Sequence, residues 1–388
     1  MTCLNLRDDQ PNTADSPTDN PTAMPHDLPF AGLPQGAKVM AAMSGGVDSS
    51  MATALLRDHD ADVIGAMMRF WPDDREGQFS LCCSPDAAYD ARRIAERLEL
   101  PFYLLDYRDD FEDVVIEPFL DIYQKGQTPN PCVQCNRQIK FGGLLKKARM
   151  LGCDYLATGH YVRRVDGPDG VELHRGVDDS KDQTYFLWAL EPSILPHLLF
   201  PLGESTKEDV RDCAEARGFV TARKPSSHSL CFIDTTVQDF LRDHTAPKPG
   251  PILDAADGYK EIGQHDGVQF YTIGQKRGLG LYHSHLERFV LELRAADNTV
   301  VVGTRDMCHF SHLQADRTNF LVDPDTLPER VFAQTRYRQQ PKAATLTRVE
   351  DGFSLEFDEP MFAITPGQSA VLYDGTRLLG GGIITERH

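Results

Sequence analysis

At 388 residues the chain is too long for one ordinary domain and long enough for two or three. No run approaches the roughly 18 consecutive apolar residues of a membrane span. The net charge of −18 excludes a surface coated in positive charge for nucleic acid, so any RNA contact must use local basic patches.

The first 36 residues are rich in Asp, Pro, Thr and Asn and poor in aliphatics. They lack the apolar core and charged start of a secretory signal and read as a disordered leader, which points to a bacterial-type cytoplasm. Lys38 to Ala42 is a short apolar run suited to a buried parallel strand. Ser44-Gly-Gly-Val-Asp-Ser-Ser50 then forms a loop and opens a helix that continues through Met51 to Arg57. A strand at Val63–Met68, a helix at Asp86–Leu98 and strands at Phe102–Leu105 and Tyr155–Thr158 follow. Alternating strands and helices imply a doubly wound parallel sheet, because parallel strands need crossover helices.

After about Phe240 the composition changes. Proline and glycine become frequent, and short alternating strands are divided by Asp-Gly pairs at 257, 266, 351 and 374. This is antiparallel β structure, expected as a small β-rich module followed by a β-barrel. The expected division is a leader over 1–36, a nucleotide-binding catalytic domain over 37–240, a central β module over 241–307 and a C-terminal barrel over 308–388.

The loop at 44–50 has the features of an anion site. Two glycines let backbone approach a phosphate, the helix N-terminus offers free N–H groups, and Ser44, Ser49 and Ser50 add hydroxyls. Asp48 is a candidate Mg2+ ligand. No lysine lies in the loop, so it is not the kind that serves γ-phosphate hydrolysis. It resembles the pyrophosphatase loop of enzymes that release pyrophosphate and leave AMP on a substrate oxygen, a class spanning synthetases and RNA thiolases.

The nine cysteines, an odd number in a chain without a signal peptide, do not form a disulfide scaffold. Thr128-Pro-Asn-Pro-Cys132-Val-Gln-Cys135-Asn136 is expected to be a rigid loop, its prolines excluding a helix, ahead of a basic helix that begins near Gln138 and carries Lys140, Lys146, Lys147 and Arg149. A Cys-x-x-Cys pair reads as a metal clip, a redox pair or coincidence. Four-ligand zinc would need a second matched pair, and the adjacent Cys82-Cys83 suits one tetrahedral site poorly. A further cysteine stands at Cys231, within Ser229-Leu-Cys-Phe-Ile233. Cys3 falls in the leader, and Cys153, Cys213 and Cys308 read as buried or incidental thiols.

Several strings in order make the chain resemble the tRNA-specific 2-thiouridylases of the PP-loop ATP pyrophosphatase superfamily over nearly all of residues 38–386. They are A-M-S-G-G-V-D-S-S (42–50), T-P-N-P-x-x-x-C-N (128–136), A-T-G-H-Y (157–161), K-D-Q-T-Y-F-L (181–187), C-F-I (231–233), Y-T-I-G-Q-K-R-G-L-G (271–280), R-Y-R-Q (336–339) and T-P-G-Q-S-A-V-L-Y (365–373). The resemblance implies an adenine nucleotide alpha hydrolase-like sheet and an ATP- and Mg2+-dependent sulfur transfer to the wobble uridine of tRNA, with a persulfide protein as donor. It makes Cys135 the nucleophile and Cys231 the bearer of the persulfide. Ala42, Met43, Ser44, Gly45, Gly46, Val47, Asp48, Ser49, Met68 and Gly159 match ATP contacts. Asn130, Pro131 and Cys132 match the segment that meets the target base. His160, Lys181, Asp182, Gln183, Arg336, Tyr337 and Gln368 match tRNA-contacting positions.

The chain departs from the pattern twice. Many members carry Asp where Cys132 stands, and the segment before Cys231, often D-S-x-x-I-C-F-I, is here Pro225-Ser-Ser-His-Ser-Leu with His228. Cys132, Cys135 and Cys231 would supply three ligands of a [4Fe–4S] cluster with one open site. The competing reading is a persulfide relay in which Cys132 takes no part. Two rival functions stay open: a pyrophosphate-releasing ligase or amidotransferase on a small molecule, and a non-catalytic iron–sulfur RNA-binding protein.

Overall fold

The computed structural model describes residues 28–30, 33–70, 84–225, 230–281 and 287–388. Residues 1–27 and 31–32 of the leader, Cys82, Cys83 and His228 lie outside the described residues, and Cys3 with them. The end of the leader, expected to be disordered, instead packs Leu28, Phe30 and Leu33 against the core.

The chain opens with β1 (Lys38–Ala42), α1 (Val47–Asp58), β2 (Asp62–Arg69), α2 (Pro85–Arg97) and β3 (Phe102–Asp106). With β4 (Tyr155–Ala157) and β7 (Leu198–Leu199) these strands form a five-stranded parallel sheet in the order β3-β2-β1-β4-β7. The expected doubly wound sheet is therefore present. β1, β2 and β4 are mostly apolar because both faces are covered there, whereas β3 at the edge is partly exposed. Val39 and Ala41 face a core built on α1, α2 and α5 (Lys207–Ala216), whereas Met40 faces the opposite core with Phe141, Leu144 and Leu156.

Two helical runs follow β3. The first, α3, covers 108–124 and is π-wound over Glu112–Ile116. The second, α4, covers 131–150: α-helical over Pro131–Gln134, π-wound over Cys135–Leu144 and α-helical again over Leu145–Met150. This corrects the expectation of a rigid non-helical loop around the cysteines. Pro131 sits at the first helical position, where its missing N–H would have had no partner and its fixed φ suits the helix. Both cysteines of the pair therefore ride on a helix.

After α6 (Val237–His244), β8 (Gly250–Asp254), β9 (Lys260–His265), β10 (Phe289–Arg294) and β11 (Thr299–Gly303) form a four-stranded sheet in the order β10-β11-β8-β9. Its apolar face packs on α3 and on Cys135 and Ile139 of α4. The strands β12 (His309–Phe320), β13 (Arg330–Gln334), β14 (Lys342–Val349), β15 (Gly352–Phe362), β16 (Ser369–Asp374) and β17 (Arg377–Arg387) close into a six-stranded antiparallel barrel through the β12–β17 pairing. A hairpin from the first part of the chain, β5 (Val162–Gly167) and β6 (Gly170–Arg175), joins the same sheet at β17. The barrel is thus tied to the segment that follows β4.

Candidate active site

In the order β3-β2-β1-β4-β7 the chain runs outward from β1 to β3 and then returns to the other side of β1. The crevice beyond the C-terminal ends of β1 and β4 is the switch point at which such sheets bind ligands. β1 feeds the Ser44–Ser50 loop into it, and β4 feeds Thr158-Gly159-His160.

The loop's shape is set by its neighbours. Gly45 adopts φ +68°, and a Cβ there would lie 2.1 Å from the Ala87 carbonyl oxygen, so no larger residue fits. Ser49 Oγ accepts the Ser44 N–H at 3.0 Å and donates to the Gly46 carbonyl at 3.2 Å, and Ser50 Oγ donates to the same carbonyl at 2.8 Å. Gly46, the N-cap of α1, has no side chain to cap it, so the first-turn N–H groups face the crevice without a capping oxygen. Ala42 is the last residue of β1. Met43 N–H donates to the Ala66 carbonyl at 2.8 Å, and Met43 and Val47 are buried in the α1 core. Across the crevice, a Cβ at Gly159 would lie 2.8 Å from the Asp48 carbonyl carbon, so the two loops are in backbone contact.

Asp48 has partners that its local sequence does not disclose. Its Oδ1 accepts the Tyr161 hydroxyl at 2.8 Å and pairs with Lys207 Nζ at 2.5 Å. Burial, then the Asp48 charge, pushes the Tyr161 hydroxyl far above its usual range, and burial lowers the Lys207 ammonium against the pull of Asp48.

Next along the crevice, His160 is buried, with Nδ1 2.7 Å from Thr158 Oγ1 and its ring 5.6 Å from Phe141 of α4. Burial, reinforced by the Lys140 charge, holds the imidazole well below its usual range and hence neutral at pH 7. Gln183 Oε1 accepts the Tyr161 N–H at 3.2 Å and so braces this loop.

On α4, Cys135 is buried and Cys132 half-buried. Burial pushes the Cys135 thiol up to about 12, with the Lys140 charge pulling it down and the Cys231 thiol pushing it further up. Cys231 packs half-buried against the core that contains Cys135. Met68, at the end of β2, packs against both this core and the one below His160. The barrel holds the start of α4 from outside. Gln368 Nε2 donates to the Thr128 and Pro129 carbonyls at 3.1 and 2.8 Å, and Thr128 N–H donates to the Pro366 carbonyl at 3.2 Å. Asn130 is the helix N-cap, with its side chain not spent on the cap. The Tyr337 ring packs 4.4 Å from that of Phe186, and burial raises its hydroxyl, with a last small push from the nearby Cys132 thiol.

Compared with known proteins, residues 37–235 match the tRNA methyl transferase HUP domain, 238–304 its PRC-barrel domain, and 310–384 the aminomethyltransferase beta-barrel domain. The tRNA-specific 2-thiouridylase MnmA of Deinococcus radiodurans is 54% identical over 367 residues, covering 94% of this chain and 96% of the relative. The enzymes of the same name from Thermus thermophilus and Carboxydothermus hydrogenoformans are 50% and 45% identical over 355 and 361 residues. These matches cover 89% and 90% of this chain and 94% and 98% of the relatives. The chain belongs to the tRNA-specific 2-thiouridylase family.

As a thiouridylase, a sulfurtransferase, the chain uses some of the matched positions inwardly. Asp182 is buried, and its oxygens accept from Gly176 N–H, Thr184 Oγ1 and Arg175 Nε, leaving it a structural carboxylate rather than one that faces RNA. Arg336 Nη2 donates to the Ile273 carbonyl at 2.6 Å and to Thr365 Oγ1 at 2.7 Å, so it struts the central module against the barrel. The positive charge of Lys181 is felt by Lys207 and Asp178, on the phosphate-loop side of the crevice. Among the described residues no three Cys, His, Asp or Glu side chains are grouped to hold a metal ion. Cys132, Cys135 and Cys231 thus make no preformed cluster site. No helix among the described residues is long and apolar enough to cross a membrane.

A groove of about 440 Å³ runs along the outer face of α4, lined by Arg137, Lys146, Arg149, Met150 and Glu191. It places three cations beside the cysteine helix of an acidic protein. The sequence alone points to Lys146 and Arg149 there; it does not point to Lys207 and Lys224 at the phosphate loop.

Proposed function

We propose that this thiouridylase carries out ATP-dependent 2-thiolation of the wobble uridine of tRNA, by adenylating the uracil C2 oxygen and replacing it with persulfide sulfur. One observation carries the reading. Gly159 and His160 are adjacent in the chain, and the first touches the phosphate loop while the second packs on the cysteine helix. That adjacency supports a site where ATP chemistry and thiol chemistry meet across two residues.

The uracil C2 carbonyl is a poor electrophile because its oxygen leaves badly. Attack of that oxygen on the α-phosphorus expels pyrophosphate, gives up the N3 proton and turns the oxygen into part of an AMP leaving group. The uncapped N-terminus of α1 and its close-set glycines fit the phosphates of ATP. Mg2+ would supply charge neutralisation there, with Asp48 as its candidate ligand once Lys207 releases the carboxylate.

In the sulfur step, the terminal sulfur of a Cys231 persulfide attacks C2 and AMP departs. The Cys135 thiolate then attacks Cys231 Sγ, freeing the thiouridine and leaving a Cys135–Cys231 disulfide for reduction. Lys140 is the cation placed to favour that thiolate. Cys132 takes no part in this relay.

The uridine must leave its stack to enter the crevice. Asn130, Pro131 and Cys132, at the start of α4, are the residues assigned to meet it, with Tyr337 close to Cys132 and Gln368 fixing the segment through the Thr128 and Pro129 carbonyls. The groove with Arg137, Lys146 and Arg149 fits a phosphate backbone, a contact that weakens with salt. A separate protein delivers the persulfide sulfur.

The test is thiolation of a tRNA transcript by anaerobically purified protein with ATP and a persulfide donor, with iron counted. Thiouridine, AMP and pyrophosphate should form at zero iron, and C135S and C231S should lose thiouridine. Full turnover in C135S would instead favour a small-molecule ligase.

A further inference from the structure

The phosphate loop carries no lysine, yet the fold brings two to it from positions 159 and 179 residues further along the chain than the loop residues they meet. Lys207 Nζ pairs with Asp48 at 2.5 Å and lies 5.8 Å from the Tyr161 ring centre. Lys224 Nζ donates to the Gly45 carbonyl at 3.2 Å and pairs with Asp90 at 2.6 Å. The segment that bears them is fastened down. Arg211 donates to the Ala222 and Lys224 carbonyls at 2.9 and 3.0 Å, and Thr221 Oγ1 donates to Ser50 Oγ at 3.1 Å.

Lys207 stands where a lysine is costly. It is 8% exposed and occupies the first position of α5, the positive end of the helix dipole. The positive charges of Arg211 and Lys181 also act on it. Helix α5 needs nothing from it, because Thr206 and Asp209 already form a reciprocal cap. Against those costs stands the pair with Asp48, itself 34% exposed at the crevice. A buried ion pair of this kind is weak evidence for stability. A cation held at a phosphate loop by an exchangeable carboxylate has the chemistry to receive phosphate.

We propose that Lys207, with Lys224 beside it, is the phosphate-binding lysine that the loop itself lacks. Lys207 pairs with Asp48 before ATP arrives, transfers to the β- and γ-phosphates when ATP binds, and stays with pyrophosphate as it leaves. In adenylation the uracil oxygen bonds to the α-phosphorus and the bond from that phosphorus to the α,β-bridging oxygen breaks. The electron pair goes to pyrophosphate, and the ammonium groups offset its charge. The exchange also releases Asp48. This inference rests on reading the loop as the ATP site and goes beyond it by assigning the residues that hold the leaving group.

The experiment is calorimetric titration of inorganic pyrophosphate and of AMP into wild type, K207M, K207R and K224M, with tRNA-dependent pyrophosphate release measured alongside. K207M should bind pyrophosphate about ten- to a hundredfold more weakly with AMP affinity unchanged, and K207R should recover most of the loss. In K207M the kcat for pyrophosphate release should fall while KM for tRNA holds. Pyrophosphate affinity within twofold of wild type in K207M would overturn the proposal. So would equal losses for AMP and pyrophosphate, or a wild-type chain that binds AMP but not pyrophosphate. Should K207M not fold, K224M carries the test through a several-fold loss for pyrophosphate alone, and no loss there is equally fatal. Selective loss in K207M supports the proposal even if wild type thiolates no tRNA, a result that would sink only the proposed function.

Discussion

Lys140 follows Cys135 by five residues on the π-wound stretch of α4, and its charge acts directly on the Cys135 thiol. On an ordinary α-helix residues five apart diverge by about 140° around the axis. With i to i+5 winding they are neighbours one turn apart. The π segment therefore has a chemical consequence, which is to bring the Lys140 charge to bear on Cys135. Arg137, by contrast, is exposed and pairs with Glu191 at 3.5 Å. We expect K140M to lower kcat for thiolation about tenfold or more at saturating tRNA, and to slow Cys135 alkylation in parallel. R137M should leave the alkylation rate of Cys135 unchanged. Mass-spectrometric alkylation rates on the two variants separate these outcomes.

Cys135 is held as a thiol by burial, with its pKa at about 12, whereas an unfolded cysteine titrates near 8.5. Its folded pKa is raised, so its contribution to stability is intact below about pH 8.5 and is lost as pH rises toward 12. The wild type should lose stability over that window more steeply than C135A, as measured by urea melts at a series of alkaline pH values. Near pH 7 the half-buried Cys231 should be alkylated before Cys135. The opposite order would mean that the resting thiol is already activated.

The parallel sheet was legible because its central strands are covered on both faces and appear as short apolar runs, as at Val39–Ala42. The phosphate loop was legible for a local reason, since strand, glycine pair and helix start are contiguous in the chain. The helix under Cys132 and Cys135 was not, because Pro131 reads as a breaker when its position at N1 makes it a starter. Nothing local reveals π winding, and so nothing in the sequence set Lys140 above Arg137. Lys207 and Lys224 escape a reading of the sequence because their meeting with the loop is made by tertiary folding. Asp182 and Arg336 show the converse, since a charged residue type does not disclose whether its bonds point outward or, as here, inward.

Gln368 ties the barrel to the residues just before the cysteine helix through two bonds to the Thr128 and Pro129 carbonyls. Removing a bonded partner costs roughly 1–3 kcal/mol when the carbonyls stay buried. Q368A should lower stability by about that amount in urea melts and reduce kcat more than it raises KM for ATP. A change confined to KM for ATP would show that Gln368 serves the phosphate loop instead.

The glycines of the crevice offer a steric test. In G45A the added methyl meets the Ala87 carbonyl at 2.1 Å and the backbone must keep φ +68°, so the loop itself has to shift. In G159A the methyl meets the backbone of Asp48 and Ser49 at 2.8 Å and pushes the two loops apart. Both variants should raise KM for ATP at least about tenfold, by misplacing donors that bind only in one geometry. Gly152 has φ +78° but open space around it, so G152A should cost stability without changing KM for ATP.

His160 gives the acid limb. Its folded pKa is depressed by burial and by Lys140, so the folded form binds fewer protons than the unfolded chain below the ordinary histidine value near 6.5. Stability from this group is present above pH 6.5 and drains away as pH falls below it, because protonation must either open the core or bury an imidazolium near Lys140. In H160N a side-chain amide can still meet Thr158 but cannot take up the proton. Urea melts between pH 7.5 and pH 5 should therefore show wild type losing stability with a slope approaching about 1.4 kcal/mol per pH unit, and H160N a flatter profile. Thiolation at pH 7 adds a second reading. If His160 acts by its neutral packing between Phe141 and Phe200, H160N should retain turnover within about tenfold, whereas a proton-transfer role would cost about 10² or more.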